Sequence, residues 1–284
     1  MPSMRDIKRR RESVKSTGQI TKAMKLVATV KLQKARVHAL ETQPYFNAMY
    51  KTVKSVISHM ESTTHPLITG NGSKKKAVLL MTSNRGLAGG YNNNIIKLVD
   101  STLNPEDTIV YAIGRKGRDA LFKKGYEIAK DYSDVINQPL YSDAIAIGKE
   151  LLGAYNAGEI GEVWIAYTFF KNTVSHIPTM EKLLPLSAED FEADEEEPDL
   201  TMNFEPKEER ALELIVPKYL NSLIYGGLIQ AFASENGARM QAMDNATSNA
   251  EEMIEDLSLQ YNRARQGAIT QELTEIVAGA SAVE

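Results

Sequence analysis

The chain has 284 residues, 33 Lys or Arg against 37 Asp or Glu, a formal net charge of −4 and 43% apolar residues. Such a length buries a sizeable core in one or two domains. The lack of cysteine excludes disulfides, thiolate metal sites and a cysteine nucleophile, and suits a reducing compartment. No apolar run approaches the ~20 residues that span a bilayer, and the basic N-terminus MPSMRDIKRRRES has no apolar stretch of the kind a secretory signal carries.

The small net charge hides two poles. Residues 1–36 hold eleven Lys or Arg against Asp6 and Glu12, a local net of +9, whereas residues 189–209 hold eleven Asp or Glu against Lys207, a local net of −10. Opposite poles suit separate partner surfaces on one molecule, and they also suit two solvated faces.

From Asp6 to about Met60 the spacing is helical, through Ile20, Ala23, Met24, Val27 and Val30 and then Phe46, Met49, Tyr50, Val53, Ile57 and Met60. Pro44 predicts a kink or break near Gln43. HPLITGNGSKKK, with Pro66, Gly70 and Gly72, predicts a loop. Strands and helices then alternate. KKAVLLMTS and DTIVYAIGR read as strands, GGYNNNIIKLVDSTL, GRKGRDALFKKG and DAIAIGKELLGAYNAG as helices, and EVWIAYTFFKN with TVSHIPTMEKLLPL as a pair of strands. This order predicts βαβ units forming a parallel sheet with an antiparallel pair appended. The acidic, Pro-containing stretch SAEDFEADEEEPDLTMNFEP is a poor candidate for regular structure.

From about Lys207 to the end the helical pattern returns, with Pro217 expected one turn inside and kinking it. Met243, Ala250, Leu257 and Ala264 stand at strict sevens, as do Thr247, Ile254, Tyr261 and Ala268. Four heptads of this kind mark a coiled-coil seam, and roughly 70 helical residues would span about 105 Å. The N-terminal helix has its own series, Ile7, Val14, Thr21, Ala28 and Ala35. The fold expected is therefore α/β: a long antiparallel coiled coil of the N- and C-terminal helices with a Rossmann-like α/β domain inserted. Its parts are an N-terminal helix over 1–60, the α/β domain over 74–190, an acidic loop over 191–208 and a C-terminal helix over 209–284.

NRGLAGGYNNN follows the first strand and opens a helix, the order in which backbone amides and a helix N-terminus bind anions. Its glycines at 86, 89 and 90 fit neither GxGxxG nor a Walker loop, and no Lys-Ser or Lys-Thr closes it. No catalytic set accompanies it. His38, His59, His65 and His176 have no metal-ligand spacing, there is no GxSxG, and the carboxylates form no identifiable pair. A nucleic-acid binder is disfavoured by the pI of about 5.7 and by the absence of an aromatic residue before Tyr45.

Three stretches carry a family resemblance. ITQELTEIVAGASA at 269–282 resembles the C-terminal signature of the γ subunits of F-type ATP synthases. STGQITKAMKLVATVKLQKA resembles their N-terminal helix, and NRGLAGGYN resembles the start of their central domain. The resemblance runs in register from Met4 to Val283. It implies a rotor. The termini would form a coiled coil inside the hexamer of α and β subunits, with the inserted domain at the foot beside the ε subunit and the membrane c ring. The chain would turn with the proton-driven ring and carry no cofactor, no substrate of its own and no nucleic acid. ATP chemistry would belong to the β subunits, and the glycine run would be a structural turn. With no import presequence and no cysteine pair for a thiol switch, a bacterial enzyme on the cytoplasmic face of the plasma membrane is expected.

Position by position, the resemblance implies β-subunit contacts at Arg9, Lys22, Met24, Arg239, Arg265, Gln266, Thr270 and Glu272. On spacing alone, Arg265 and Glu272 share one solvated helix face. The same transfer implies that Tyr45, Phe204 and Glu205 meet the c ring and ε, with Met202 and Asn203 beside them. Val277, Ala278, Ala280, Ala282 and Val283 would form a weakly polar bearing tip.

Overall fold

The computed structural model describes residues 3–58, 65–186 and 208–281. They form, in chain order, α1 (Met4–Ser58), α2 (Pro66–Thr69), β1 (Lys76–Met81), α3 (Tyr91–Thr102), β2 (Thr108–Ile113), α4 (Arg115–Lys123), β3 (Glu127–Asp131), α5 (Tyr141–Asn156), β4 (Glu162–Phe170), β5 (His176–Leu184) and α6 (Glu208–Ser281). Two compact units result: residues 1–28 with 240–284, and residues 29–239.

In the first unit, α1 starts at a capping box. The Ser3 hydroxyl accepts the amide of Asp6 at 3.2 Å and donates to its carboxylate at 2.7 Å. These bonds hold the Asp6 carboxyl below the ordinary carboxylate range. The pairing with α6 is antiparallel. Lys25 meets Asp244 at 2.5 Å, Thr21 shares a 2.7 Å hydrogen bond with Thr247, and the Arg11 guanidinium lies 5.4 Å from the Tyr261 ring centre, so one number falls as the other rises. A Cβ on Gly18 would stand 3.3 Å from that of Ala250. Ile7, Thr21, Ala28, Met243, Ala250 and Leu257 are buried, which places the Ile7 and Met243 series in the seam; of the Thr247 series, Thr247, Ile254 and Tyr261 are half-buried and Ala268 is exposed. The other apolar stripe of α1, at Ile20 and Val27, faces outward.

The second unit is built on a sheet of order β3-β2-β1-β4-β5, parallel except for β5, which runs antiparallel to β4. Both faces are covered. Leu79, Met81, Tyr111, Ile113, Val163 and Ile165 face α5 and the adjoining parts of α1 and α6. Val78, Leu80, Val110 and Ala112 face α3 and α4. Alternate residues of β1 and β2 thus enter opposite cores, which is why these strands read as continuous apolar runs.

Three expectations are corrected. Of the kink or break expected near Gln43, the break does not occur: α1 runs unbroken through Pro44 to Ser58. Pro44 and Leu40 are both exposed, so the carbonyl that loses its partner is open to water, and Val53 and Val56 anchor the helix beyond it in the core. Pro217 likewise sits within α6, at its tenth residue, deeper than the one turn expected. Within HPLITGNGSKKK, Pro66–Thr69 is a short helix whose cap is His65 Nδ1, accepting the Leu67 amide at 3.2 Å. One strand, β3, has no counterpart among the expected elements.

The β2–α4 junction is a close backbone approach. Gly114 has φ +101°, and a Cβ there would lie 2.0 Å from the Thr82 carbonyl oxygen. Gly125 has φ +89° with open space around it. Gly114→Ala is therefore expected to lower unfolding free energy by about 3 kcal/mol and Gly125→Ala by about 1 kcal/mol. Urea titration of the purified variants measures both, and equal losses would contradict the close approach.

Candidate functional site

The glycine turn between β1 and α3 is braced by its own chain. Asn92 Oδ1 accepts the Ser83 amide at 2.9 Å, and the Ser83 hydroxyl donates to the Arg85 carbonyl at 2.6 Å. Asn84 ties the turn to its neighbours, its amide group donating to the Ser133 carbonyl at 2.7 Å and its Oδ1 accepting the Arg115 amide at 3.1 Å. Gly89 has φ +55°, and Leu87 holds the same left-handed conformation at 64° despite its side chain. That strain costs about 1–2 kcal/mol and turns Leu87 outward. Arg85, Gly86 and Leu87 are exposed.

Behind the turn, Tyr91 at the start of α3 is buried, its hydroxyl donating to the Ala231 carbonyl of α6 at 3.2 Å. One turn further along α6, Arg239 Nη1 lies 2.6 Å from Glu235 Oε1, with the two side chains only 13% and 11% exposed. Arg239 Nη2 reaches the Gly86 carbonyl at 3.5 Å. Burial raises the Glu235 carboxyl above its ordinary value, opposed by Arg239 and then Lys31. The Lys31 ammonium stands 5.9 Å from the Phe232 ring centre. Arg239, expected at a partner contact, thus makes its shortest ion pair within the chain, with its guanidinium joining α6 to the glycine turn. Its partner Glu235 was not among the expected residues, although an i, i+4 acid–base pair inside the apolar run AFASENGARMQAM is a visible signal.

The remaining candidates separate by unit. Arg9 is exposed and 3.5 Å from Asp6, Lys22 is exposed and Met24 half-buried. On α6, Ala264 is half-buried, and every residue from Arg265 to Ala278 is exposed, including Gln266, Thr270 and Glu272. The Thr270 hydroxyl donates back to the Gln266 carbonyl at 2.9 Å. Ile269, Leu273 and Ile276 repeat at helical spacing on this stretch and are 45%, 57% and 62% exposed. Val277 and Ala278 are exposed as well; the side chains of Ala280, Ala282 and Val283 lie outside the described residues. In the other unit, Tyr45 is half exposed and packs edge-on to Tyr141 at 6.5 Å, which packs edge-on to Tyr225 at 5.5 Å. Met202, Asn203, Phe204, Glu205 and the acidic segment around them lie outside the described residues. Among the described residues, no three His, Cys, Asp or Glu side chains group to hold a metal ion, and no helix is long and apolar enough to cross a membrane.

The Glu235–Arg239 pair has a measurable pH signature. With its folded-state ionisation raised, Glu235 favours folding at low pH, and that contribution is lost as pH rises through the raised value. Removing Arg239 takes away the largest opposing charge, so Arg239→Ala is expected to cost about 3 kcal/mol near ~pH 8 and clearly less near ~pH 5. Thermal unfolding at the two pH values tests this, and an equal loss at both would contradict it.

Comparison with known proteins completes the assignment. The family model described as ATP synthase matches residues 3–283. The ATP synthase gamma chain of Lachnoclostridium phytofermentans is 62% identical over 290 residues, covering 100% of both chains. The sodium ion specific ATP synthase gamma chain of Acetobacterium woodii is 40% identical, covering 99% of each. Among solved structures, a chain of the Euglena gracilis mitochondrial ATP synthase, seen with OSCP, F1 and the c-ring in rotational state 3, superposes with a TM-score of 0.72. It is 21% identical, with 99% of this chain and 94% of that one covered, a likeness of fold. With matches along its whole length, the chain belongs to the ATP synthase gamma chain family.

Proposed function

We propose that this gamma chain is the turning shaft of the central stalk, carrying torque between the membrane c ring and the catalytic β subunits. The observation that supports this most is the end of α6. From Arg265 onward the helix lies past its half-buried stretch, yet it carries Ile269, Leu273 and Ile276 on exposed surface. A single helix with an apolar stripe open to water is better satisfied inside an apolar sleeve. Against these apolar side chains such a sleeve makes no directional bonds, so on this face the helix turns against little resistance.

In this reading ion flow turns the c ring, the ring turns this chain, and its asymmetric surface biases each β subunit among its conformations by differential contact. ATP chemistry stays on β; the chain is itself non-catalytic and needs no cofactor. Arg9, Lys22 and their basic neighbours on α1 face acidic groups on β. Those contacts must be exchanged at every step, so each is solvated and contributes about 0–1 kcal/mol. Arg265, Gln266, Thr270 and Glu272 make and break directional hydrogen bonds at defined angles, at about 0.5–1.5 kcal/mol each. Arg239 contributes by holding the glycine turn in place. Tyr45, with Phe204 and Glu205, docks at the foot on ε and the c ring, on the cytoplasmic face of the membrane. The coupling ion is a property of the ring, which fits a sodium-specific relative at 40% identity.

Two experiments test the proposal. Expressed with matching α and β subunits, the chain should co-purify in one copy per three β and give multi-site ATP turnover, while remaining inert alone. ATP hydrolysis by the isolated chain would contradict it. Met24→Lys should place a charge against the acidic face of β and form an ion pair that resists exchange. Ions pumped per ATP hydrolysed are expected to fall several-fold in that variant. Unchanged pumping would count against a β contact at Met24.

A further inference from the structure

The second unit contains a cavity of about 860 Å³ between residues 39–47 of α1, residues 222–230 of α6 and the neighbouring part of β4 and β5. Its size is in the range that holds small organic ligands. The walls are aromatic, formed mainly by Tyr45, Phe46, Tyr141, Tyr167, Phe169 and Tyr225. The only formally charged side chains lining it are the carboxylates of Glu41 and Glu181, and no lysine or arginine does so among the described residues.

The two carboxylates sit against tyrosines rather than against cations. Glu181 Oε1 accepts the Tyr167 hydroxyl at 3.1 Å. Glu41 lies near Tyr225 and 3.5 Å from His38 Nδ1. Carboxylates carry negative charge and aromatic rings offer negative faces, so a lining of both favours a cation.

A glycine pair in α6 separates packing from vacancy. A Cβ on Gly227 would lie 2.7 Å from Ile165 Cδ1, so this glycine lets the helix lie close to the sheet. A Cβ on Gly226, which lines the cavity, would meet nothing within 4 Å. Glycine is disfavoured inside helices, and neither a positive φ nor an internal clash calls for it at this position. Its effect is to leave the cavity open on the helix side.

We propose that this cavity is a binding site for a lipophilic aromatic cation, held by cation–π contact with the tyrosines and by charge attraction to Glu41 and Glu181. The site does not depend on the rotor reading. The matched pair tetraphenylphosphonium and tetraphenylborate, alike in shape and opposite in charge, tests it by isothermal titration calorimetry on the full chain. Tetraphenylphosphonium should bind at one site, with tetraphenylborate at least about tenfold weaker. Gly226→Leu fills the cavity while favouring the helix, and should abolish the cation's binding. Glu181→Gln and Glu41→Gln, which leave shape and fold intact, should each weaken it by about three- to tenfold. Equal binding of the two ions, no binding of the cation, or full affinity in a folded Gly226→Leu would overturn the proposal. Should Gly226→Leu not fold, unchanged affinity in both glutamine variants would overturn it.

Discussion

Gly18 facing Ala250 and Thr21 bonded to Thr247 set the distance at which the start of α1 lies against α6. Small residues at these heptad positions give up apolar burial per layer and gain close backbone approach. The hydroxyl pair adds register, since a shift of either helix by one residue would break this bond and leave each hydroxyl only the carbonyl of its own helix, Gly18 for Thr21 and Met243 for Thr247. Because this seam joins the two ends of one chain, everything between residues 29 and 239 has to leave from one helix and return to the other. The insertion of an α/β fold into a coiled coil follows from that closure.

Within the inserted unit the same two helices serve as part of the core. Val53 and Val56 of α1 and the run from Leu212 to Ala231 of α6 share one apolar cluster with β1, β2, β4 and α5. Here α6 is covered on nearly all sides, and its polar groups have to find partners inside. Ser234 donates to the Thr168 carbonyl at 2.9 Å, and Glu235 has Arg239. The glycine turn is fixed at this level, through Tyr91 and Arg239, so a segment that resembles a phosphate cradle is locked to the helix behind it. Similar local order, a strand, glycines and a helix, serves a different purpose when side chains hold the turn by its carbonyls, as Ser83 holds Arg85 and Arg239 holds Gly86.

The long periodicities were legible. Strict sevens at Met243, Ala250 and Leu257 and at Ile7, Thr21 and Ala28 identify the buried seam, and β1 and β2 stand out because both of their faces are covered. What escaped notice has little periodic signal. β3 is a five-residue edge strand, EIAKD, almost wholly exposed and without an apolar run. Pro44 argued for a break that tertiary packing beyond it prevents. Ile20, Val27 and Val30 read as helix but gave no indication that they face outward, because a helix with two apolar stripes does not say which one its own chain covers. The pairing of Glu235 with Arg239 was visible as a spacing, but its burial was not. The aromatic group of Tyr45, Tyr141 and Tyr225 joins residues far apart in sequence, and no local pattern links them.

The central claim is that the two helices of the seam move as one stiff body. Since the chain contains no cysteine, the double variant Thr21→Cys/Thr247→Cys introduces a single possible disulfide where the two hydroxyls now lie 2.7 Å apart. ATP-driven ion pumping by the assembled enzyme should be the same with that disulfide formed or reduced. Loss of pumping on oxidation, restored by a reductant, would show that the helices must slide past each other, and would contradict the account.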